Sequence, residues 1–209
     1  MKHNIKHVWF DLSETLAVYS PEFVAARDEL LYRVFAEAVK KRVSDSLIAE
    51  YKELYKKHGS NAAVFRTLGF APTYWPDHFK KLSDSTNLFK ADPKIYGTLD
   101  VLRKIVPISL FTNARPEAIL RSIKIDPMWF TYIVGSGDFK EPKPALDGFR
   151  VMIAKSKLPA DQILYIGDML EKDIRPAKKV GMKAGLVWGS SPEADYAFES
   201  FEDILKLFL

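Results

Sequence analysis

Short runs of apolar residues alternate with longer segments along most of this chain. Strands are predicted for the apolar runs at residues 5–10, 106–111, 132–134, 163–166 and 184–188. The segments between the later runs are long enough to hold one helix each. Because parallel strands need such crossovers, the pattern predicts an α/β, Rossmann-like parallel sheet with helices on both faces.

Residues 20 to about 85 carry helical periodicity and no strand pattern. Ser20 is typical of a helix cap, Ser44 could cap a second helix, and Gly59 could end it. The helices predicted for the whole chain cover residues 21–38, 45–57, 61–68, 76–82, 93–105 and 201–208. We therefore expect an α-helical insert directly after the first strand.

Polar side chains follow four of the predicted strands. In chain order they are Asp11, then Thr112 with Asn113, then Lys143 in the loop after the third strand, then Asp168 with Asp173. Each is weak evidence alone, since strands commonly end in polar residues. Ligands of parallel sheets bind beyond the carboxyl ends of the strands, however, so this ordered set predicts one functional site there.

Composition excludes several classes of function. The chain has no cysteine, which rules out disulfides, thiol nucleophiles and thiolate zinc sites. Its net charge of +4 is spread over lysine-rich helices, without the Arg/Gly tracts typical of nucleic-acid binding, so no nucleic-acid partner is expected. No segment reaches membrane-spanning length, and the first apolar stretch is too short for a signal peptide. We expect a cytoplasmic protein with no membrane partner.

Four motifs together resemble the haloacid dehalogenase superfamily, in its phosphatase-like branch. They are residues 11–16 (Asp-Leu-Ser-Glu-Thr-Leu), residues 110–114 (Leu-Phe-Thr-Asn-Ala), Lys143 with Pro144, and residues 166–173. The resemblance covers nearly the whole chain. It implies a catalytic core made of residues 1–17 and 89–209, with a helical cap of the family's first class at residues 18–88.

The resemblance also implies roles for these residues. Asp11 would be the nucleophile that forms an aspartyl-phosphate. Mg²⁺ would bind Asp11, Asp168 and the main chain of Ser13, with Asp173 as a further ligand or as a residue that orients Lys143. Lys143 would neutralise the remaining negative charge, and Thr112 and Asn113 would hold the substrate.

Ser13 and Glu14 depart from the first motif, which in the family's phosphatases is normally Asp-x-Asp-Gly-Thr-Leu. The second Asp would pass a proton to and from the leaving group, and such help is typically worth about 10²–10⁴ in rate. A serine hydroxyl is far too weak an acid to replace it. Slow hydrolysis of alkyl phosphates is therefore expected, with acyl and aryl phosphates affected least. A specialised proton relay through Ser13 and a loss of catalysis both remain open.

The leading hypothesis is a Mg²⁺-dependent phosphatase or phosphotransferase acting on a small phosphorylated metabolite, as a monomer or homodimer. A hydrolase of carbon–halogen or carbon–phosphorus bonds is the first alternative, because relatives with those activities lack the second Asp. The phosphonate-cleaving relatives need a cap lysine, for which Lys52, Lys56 and Lys57 are available. A non-catalytic phosphate-binding protein is the second alternative.

Overall fold

The computed structural model describes residues 4–84, 89 and 91–209. Within them, one parallel sheet is built from β1 (His7–Phe10), β2 (Ile108–Phe111), β3 (Ile133–Val134), β4 (Ile163–Gly167), β5 (Lys183–Val187) and β6 (Tyr196–Phe198). The order across the sheet is β3-β2-β1-β4-β5-β6, and every neighbouring pair is parallel. Because β1 lies in the interior of the sheet, the residue that follows it emerges near the middle of the carboxyl edge.

The α-helices connect these strands and form the segment after β1. They are α1 (Pro21–Ala38), α2 (Asp45–His58), α3 (Asn61–Thr67), α4 (Tyr74–Asp84), α5 (Pro93–Leu102), α6 (Glu117–Ser122), α7 (Asp147–Ser156) and α8 (Arg175–Lys179). A π-helical turn at Leu170–Ile174 precedes α8, and a 3₁₀ helix at Phe201–Leu207 closes the fold. None of the helices described is both long and apolar enough to cross a bilayer.

Both faces of the sheet are buried, as the apolar runs predict. Successive side chains of a strand point to opposite faces. Val8 and Phe10 accordingly belong to one apolar cluster, with α5 and the closing 3₁₀ helix, whereas Trp9 belongs to a second, with α7 and α8. The predicted α/β sheet with helices on both faces is confirmed.

The predicted helix ends after β1 are also confirmed. The Ser20 Oγ accepts a hydrogen bond from the Phe23 N–H at 3.2 Å, and the Ser44 Oγ accepts one from the Leu47 N–H at 3.3 Å. Gly59 ends α2 in the left-handed conformation, with φ of +79°. These helix ends can be predicted from local sequence because the capping residues provide partners or backbone conformations for main-chain groups that the helix itself leaves unpaired.

Strand β6 was not predicted, whereas the predicted closing helix is present as a 3₁₀ helix. The strand is only three residues long and stands at the edge of the sheet, where it pairs with β5. Only Phe198 is buried, while Tyr196 is half-buried and Ala197 is exposed, so the strand lacks the continuous buried apolar run that marks a central parallel strand.

Helices α1–α4, here called the helical insert (Pro21–Asp84), contact the rest of the protein through charged pairs as well as apolar packing. The Arg115 Nε lies 2.6 Å from Asp77 Oδ1 in α4, and the Arg66 Nη2 of α3 lies 3.0 Å from Glu141 Oε1. The division into a core (1–17 and 89–209) and a cap (18–88) stays a prediction. Residues 85–88, where its second boundary falls, lie outside the described residues.

Candidate active site

Three acidic side chains meet at the carboxyl edge of the sheet. Asp11 follows β1, Asp168 follows β4, and Asp173 belongs to the π-helical turn. One carboxylate oxygen from each lies within 4.8 Å of the other two. Carboxylate oxygens at this spacing form a donor set that suits a hard divalent cation such as Mg²⁺.

The Lys143 ammonium group lies among these acids. Its Nζ donates to Asp11 Oδ1 at 2.7 Å, to Asp173 Oδ1 at 2.8 Å and to the Tyr165 hydroxyl at 2.8 Å. An ammonium group has three protons, so these bonds use its full donor capacity. Lys143 is only 3% exposed, which fixes its charge beside Asp11 rather than leaving it to solvent.

Burial and the repulsion between neighbouring carboxylates disfavour negative charge in this cluster, so a bound cation would stabilise it. Burial raises the pKa of Asp11 to about 6, against the opposing effect of Lys143. Burial, together with the charges of Asp11 and Asp173, raises the pKa of Asp168 to about 7. Burial disfavours the charge of Lys143, but the Asp11 and Asp173 carboxylates outweigh it and keep the pKa of Lys143 above its ordinary value. Because one ammonium group cannot balance three ionised carboxyl groups, the charge of the cluster favours a bound cation.

Gly167, the last residue of β4, allows Asp173 to reach the site. A Cβ atom at position 167 would lie 2.5 Å from both the Cβ and the Cγ of Asp173, closer than side chains approach. The Asp173 Oδ2 in turn accepts a hydrogen bond from the Met169 N–H at 3.1 Å. The glycine without a side chain and the π-helical turn therefore together direct Asp173 toward Lys143.

The Asn113 side chain pins the main chain of Lys143. Its amide Nδ2 donates to the Lys143 carbonyl at 3.1 Å, and its Oδ1 accepts from the Lys143 N–H at 2.8 Å. The neighbouring Thr112 Oγ1 accepts from the Ala114 N–H at 3.1 Å, which leaves the hydroxyl proton of Thr112 for another acceptor. Both side chains line the cavity in front of Asp11.

Glu14, which departs from the family motif, lies in the turn after Asp11 with an unusual backbone conformation. Glu14 has φ of +60°, the left-handed region that glycine enters freely and other residues enter at a cost. Two main-chain contacts hold it: its N–H donates to the Ala17 carbonyl at 2.9 Å, and its carbonyl accepts from the Trp188 Nε1–H at 2.8 Å. Glu14 thus occupies the backbone conformation that a glycine would adopt.

Ser13 has a partner that sequence patterns did not indicate. The Tyr19 hydroxyl donates to Ser13 Oγ at 2.6 Å. Burial above all raises the pKa of Tyr19, so this hydroxyl stays protonated and acts as the donor. Because Ser13 Oγ accepts from Tyr19, its own proton is free to point toward the cavity.

A cavity of about 500 Å³ opens in front of the acidic cluster. The strand edge forms its floor. Its other wall comes from helices α1 to α4, with polar side chains from Arg27, Tyr32, Lys52, Tyr55 and Asn61. A volume of this size accommodates a small molecule.

All seven predicted site residues lie at this one cavity: Asp11, Ser13, Thr112, Asn113, Lys143, Asp168 and Asp173. Their roles stay predictions. Sequence reasoning missed Tyr165 and Tyr19. Tyr165 lies inside an apolar strand and resembles a core residue, so no sequence signal could have found it. Tyr19 lies just before the Ser20 cap, and its position close after the first motif is the signal that could have indicated it.

Known proteins similar to this chain include two phosphatases. It is 28% identical to glyceraldehyde 3-phosphate phosphatase of Methanocaldococcus jannaschii, in an alignment that covers 85% of this chain and 82% of that protein. It is 25% identical to phosphoglycolate phosphatase of Salmonella paratyphi A, in an alignment that covers 97% of this chain and 92% of that protein.

Among solved structures, the fold is similar to that of a HAD phosphatase from Thermococcus onnurineus, with a TM-score of 0.72, 17% identity and 97% of both chains covered. The family model described as haloacid dehalogenase-like hydrolase matches residues 8–187, which is most of the chain. The protein therefore belongs to the haloacid dehalogenase-like hydrolases and is an enzyme of that family.

Proposed function

We propose that this hydrolase is a Mg²⁺-dependent phosphatase or phosphotransferase that acts on a small phosphorylated metabolite through an aspartyl-phosphate on Asp11. The observation that carries the proposal is the Asp11 carboxyl group itself, which lies 6% exposed at the floor of the cavity with Lys143 bound to one of its oxygens. The two phosphatases similar to this chain support the same class of substrate.

Asp11 is held for attack by its neighbours. Lys143 binds its Oδ1, which fixes the orientation of the carboxyl group and favours its ionised form. In the first step the Asp11 carboxylate forms a bond to phosphorus while the bond from phosphorus to the leaving oxygen breaks. In the second, water attacks the phosphorus of the aspartyl-phosphate, the bond from phosphorus to the Asp11 oxygen breaks, and both water protons leave on the released phosphate, with the Asp11 carboxylate restored.

Mg²⁺ would be held by Asp11 and Asp168, with the main chain of Ser13 and with Asp173 nearby, and would supply positive charge that neutralises the phosphoryl oxygens. The raised pKa values of Asp11 and Asp168 indicate that the cluster lacks positive charge by itself, which fits such an ion. Thr112 would donate its free hydroxyl proton to a phosphoryl oxygen. Asp173 and Asn113 would act mainly by positioning Lys143.

Ser13 sets the expected range of substrates. With Tyr19 donating to it, the Ser13 hydroxyl can donate a hydrogen bond to the leaving oxygen but cannot transfer a proton as a carboxylic acid does. Acyl and aryl phosphates, whose leaving groups need no protonation, should therefore react fastest. Alkyl phosphates should react slowly.

The proposal is tested by phosphate release from acetyl phosphate with and without Mg²⁺, using Asp11→Asn as the control. We expect Mg²⁺-dependent release that falls at least about 10³-fold in the variant, because the nucleophile is gone. A phosphoryl group trapped on the wild-type protein by acid quenching should be removed by hydroxylamine, which cleaves acyl phosphates.

Three results would favour the alternatives. Phosphate binding without turnover, unchanged in Asp11→Asn, would indicate a non-catalytic binding protein. Halide release from a haloacid without Mg²⁺ would indicate a dehalogenase. Borohydride trapping of an aldehyde on a lysine would indicate phosphonate cleavage, for which Lys52 is the predicted cap lysine that lines the cavity.

A further inference from the structure

Lys172 lies at the boundary between the strand edge and the helical insert. It belongs to the π-helical turn that carries Asp173, and it lines the same cavity as Asp11. Its Nζ donates to the Tyr55 hydroxyl of α2 at 2.7 Å and lies 5.0 Å from the centroid of the Tyr55 ring. The side chain is half-buried, so its charge is only partly solvated.

The charge of Lys172 has no counter-ion in the described part of the chain. No carboxylate there lies within 4.0 Å of its Nζ, and its hydrogen-bond partner is a neutral phenol. A half-buried ammonium group gains from an anion that replaces lost water, and a phenol cannot supply that charge.

The other cations of the cavity are differently placed. Lys143 has its three protons committed at the floor. Arg27 donates through Nε and Nη2 to Asp28 Oδ1, at 2.9 and 2.8 Å, which neutralises it. Lys52 is exposed to solvent. Lys172 thus differs from them: it lines the cavity, it is half-buried, and no described residue neutralises its charge.

We propose that Lys172 binds a second acidic group of the substrate, so that the enzyme selects phosphorylated molecules that also carry a carboxylate or a second phosphate. This inference rests on the proposed function, since it takes the phosphoryl group to lie at Asp11. Lys172, Asp173 and Asp11 line one cavity of about 500 Å³, so both acidic groups would belong to a molecule small enough to fit within it.

Matched pairs of stable phosphonates test this inference, because they need no leaving group. Inhibition of acetyl phosphate hydrolysis is measured with phosphonoacetate against ethylphosphonate, and with 3-phosphonopropionate against propylphosphonate. Propane-1,3-bisphosphonate replaces the carboxylate by a second phosphonate. We expect the acidic member of at least one pair to have an inhibition constant at least about fivefold lower, the size of one partly solvated charge pair.

Two variants separate an anion site from a simple link between the insert and the core. Lys172→Met removes the charge, and we expect the inhibition constants of the two members of a pair to differ by less than twofold in this variant. Tyr55→Phe removes the link but keeps the ammonium group, and we expect it to retain the preference. Equal inhibition by both members of every pair in the wild type would overturn the inference. So would a preference that survives in Lys172→Met.

Failure of this inference can be told apart from failure of the proposed function. If acetyl phosphate is not hydrolysed, the proposed function fails. The same ratios are then obtained by calorimetric titration of the protein with each phosphonate in the presence of Mg²⁺. If acetyl phosphate is hydrolysed but no pair is discriminated, the function stands and the second anion site does not.

Discussion

The two walls of the cavity differ in how tightly their polar groups are held. At the strand edge, Asp173 is 1% exposed and Lys143 is 3% exposed, and each is bound by several partners. On the wall from the helical insert, Tyr32 and Asn61 are half-exposed and Lys52 is exposed. The strand edge thus presents a fixed set of charges, whereas several polar side chains of the insert wall are more open to solvent.

The largest effect in this comparison is expected from Lys143→Met, at the strand edge. It leaves the Asp11 and Asp173 carboxyl groups buried without their shared cation, and breaking such a pair typically costs about 3–5 kcal/mol of unfolding free energy. Activity should fall at least about 100-fold, because an unpaired Asp11 holds its proton more tightly. Urea unfolding and acetyl phosphate hydrolysis measure the two effects.

The matched control is Lys140→Met, an exposed lysine three positions earlier in the same loop. It should change the unfolding free energy by no more than about 0.5 kcal/mol. A Lys143→Met protein as stable as this control would mean that the ion pairs of Lys143 do not stabilise the strand edge.

An intermediate effect is expected at Ser13, which lies where the fixed floor meets the cavity. Ser13→Asp should raise hydrolysis of an alkyl phosphate at least about tenfold, the low end of general acid/base help. Acetyl phosphate should gain much less, since its leaving group needs no proton. The measurement is the ratio of kcat/KM for the two substrates in variant and wild type.

Tyr19→Phe is the companion variant, because it removes the donor to Ser13 Oγ without adding an acid. It should lower alkyl phosphate hydrolysis more than acetyl phosphate hydrolysis. If Ser13→Asp brings no gain, the missing acid is not the only defect, and Glu14 or the insert also blocks the reaction.

The smallest effect is expected from Lys52→Met, on the wall of the insert. Because this side chain is exposed, its loss should change KM for acetyl phosphate by less than about fivefold and leave the unfolding free energy nearly unchanged. Lys56→Met, an exposed residue of the same helix outside the cavity lining, is its control. A loss of activity above 100-fold in Lys52→Met alone would instead place this lysine in the reaction, as phosphonate cleavage requires.

The sequence predicts most of the strand edge because its signals are local. A buried parallel strand reads as an apolar run, and Asp11, Thr112 and Asp168 each follow such a run directly. Their meeting at one edge follows from parallel topology alone. The capping serines of α1 and α2 are predictable for a similar reason, since each bonds within its own first turn.

The contacts that could not be predicted join residues distant along the chain. Tyr165 reaches Lys143 from within a strand whose pattern indicates only burial, and Tyr55 meets Lys172 across 117 positions. The indole of Trp188 holds the Glu14 carbonyl across 174 positions. Side-chain pairing at such separations depends on packing between elements, which periodicity does not describe.

Gly167 and Asp173 constrain each other's evolution. A Cβ atom at position 167 would lie 2.5 Å from both the Cβ and the Cγ of Asp173, so a substitution there needs glycine at position 173 or a shift of the π-helical turn. That replacement would in turn deprive Lys143 of one of its two ion-pair partners. A path of single substitutions away from this pair therefore passes through a protein without the Lys143–Asp173 ion pair, which makes this corner of the site hard to change gradually.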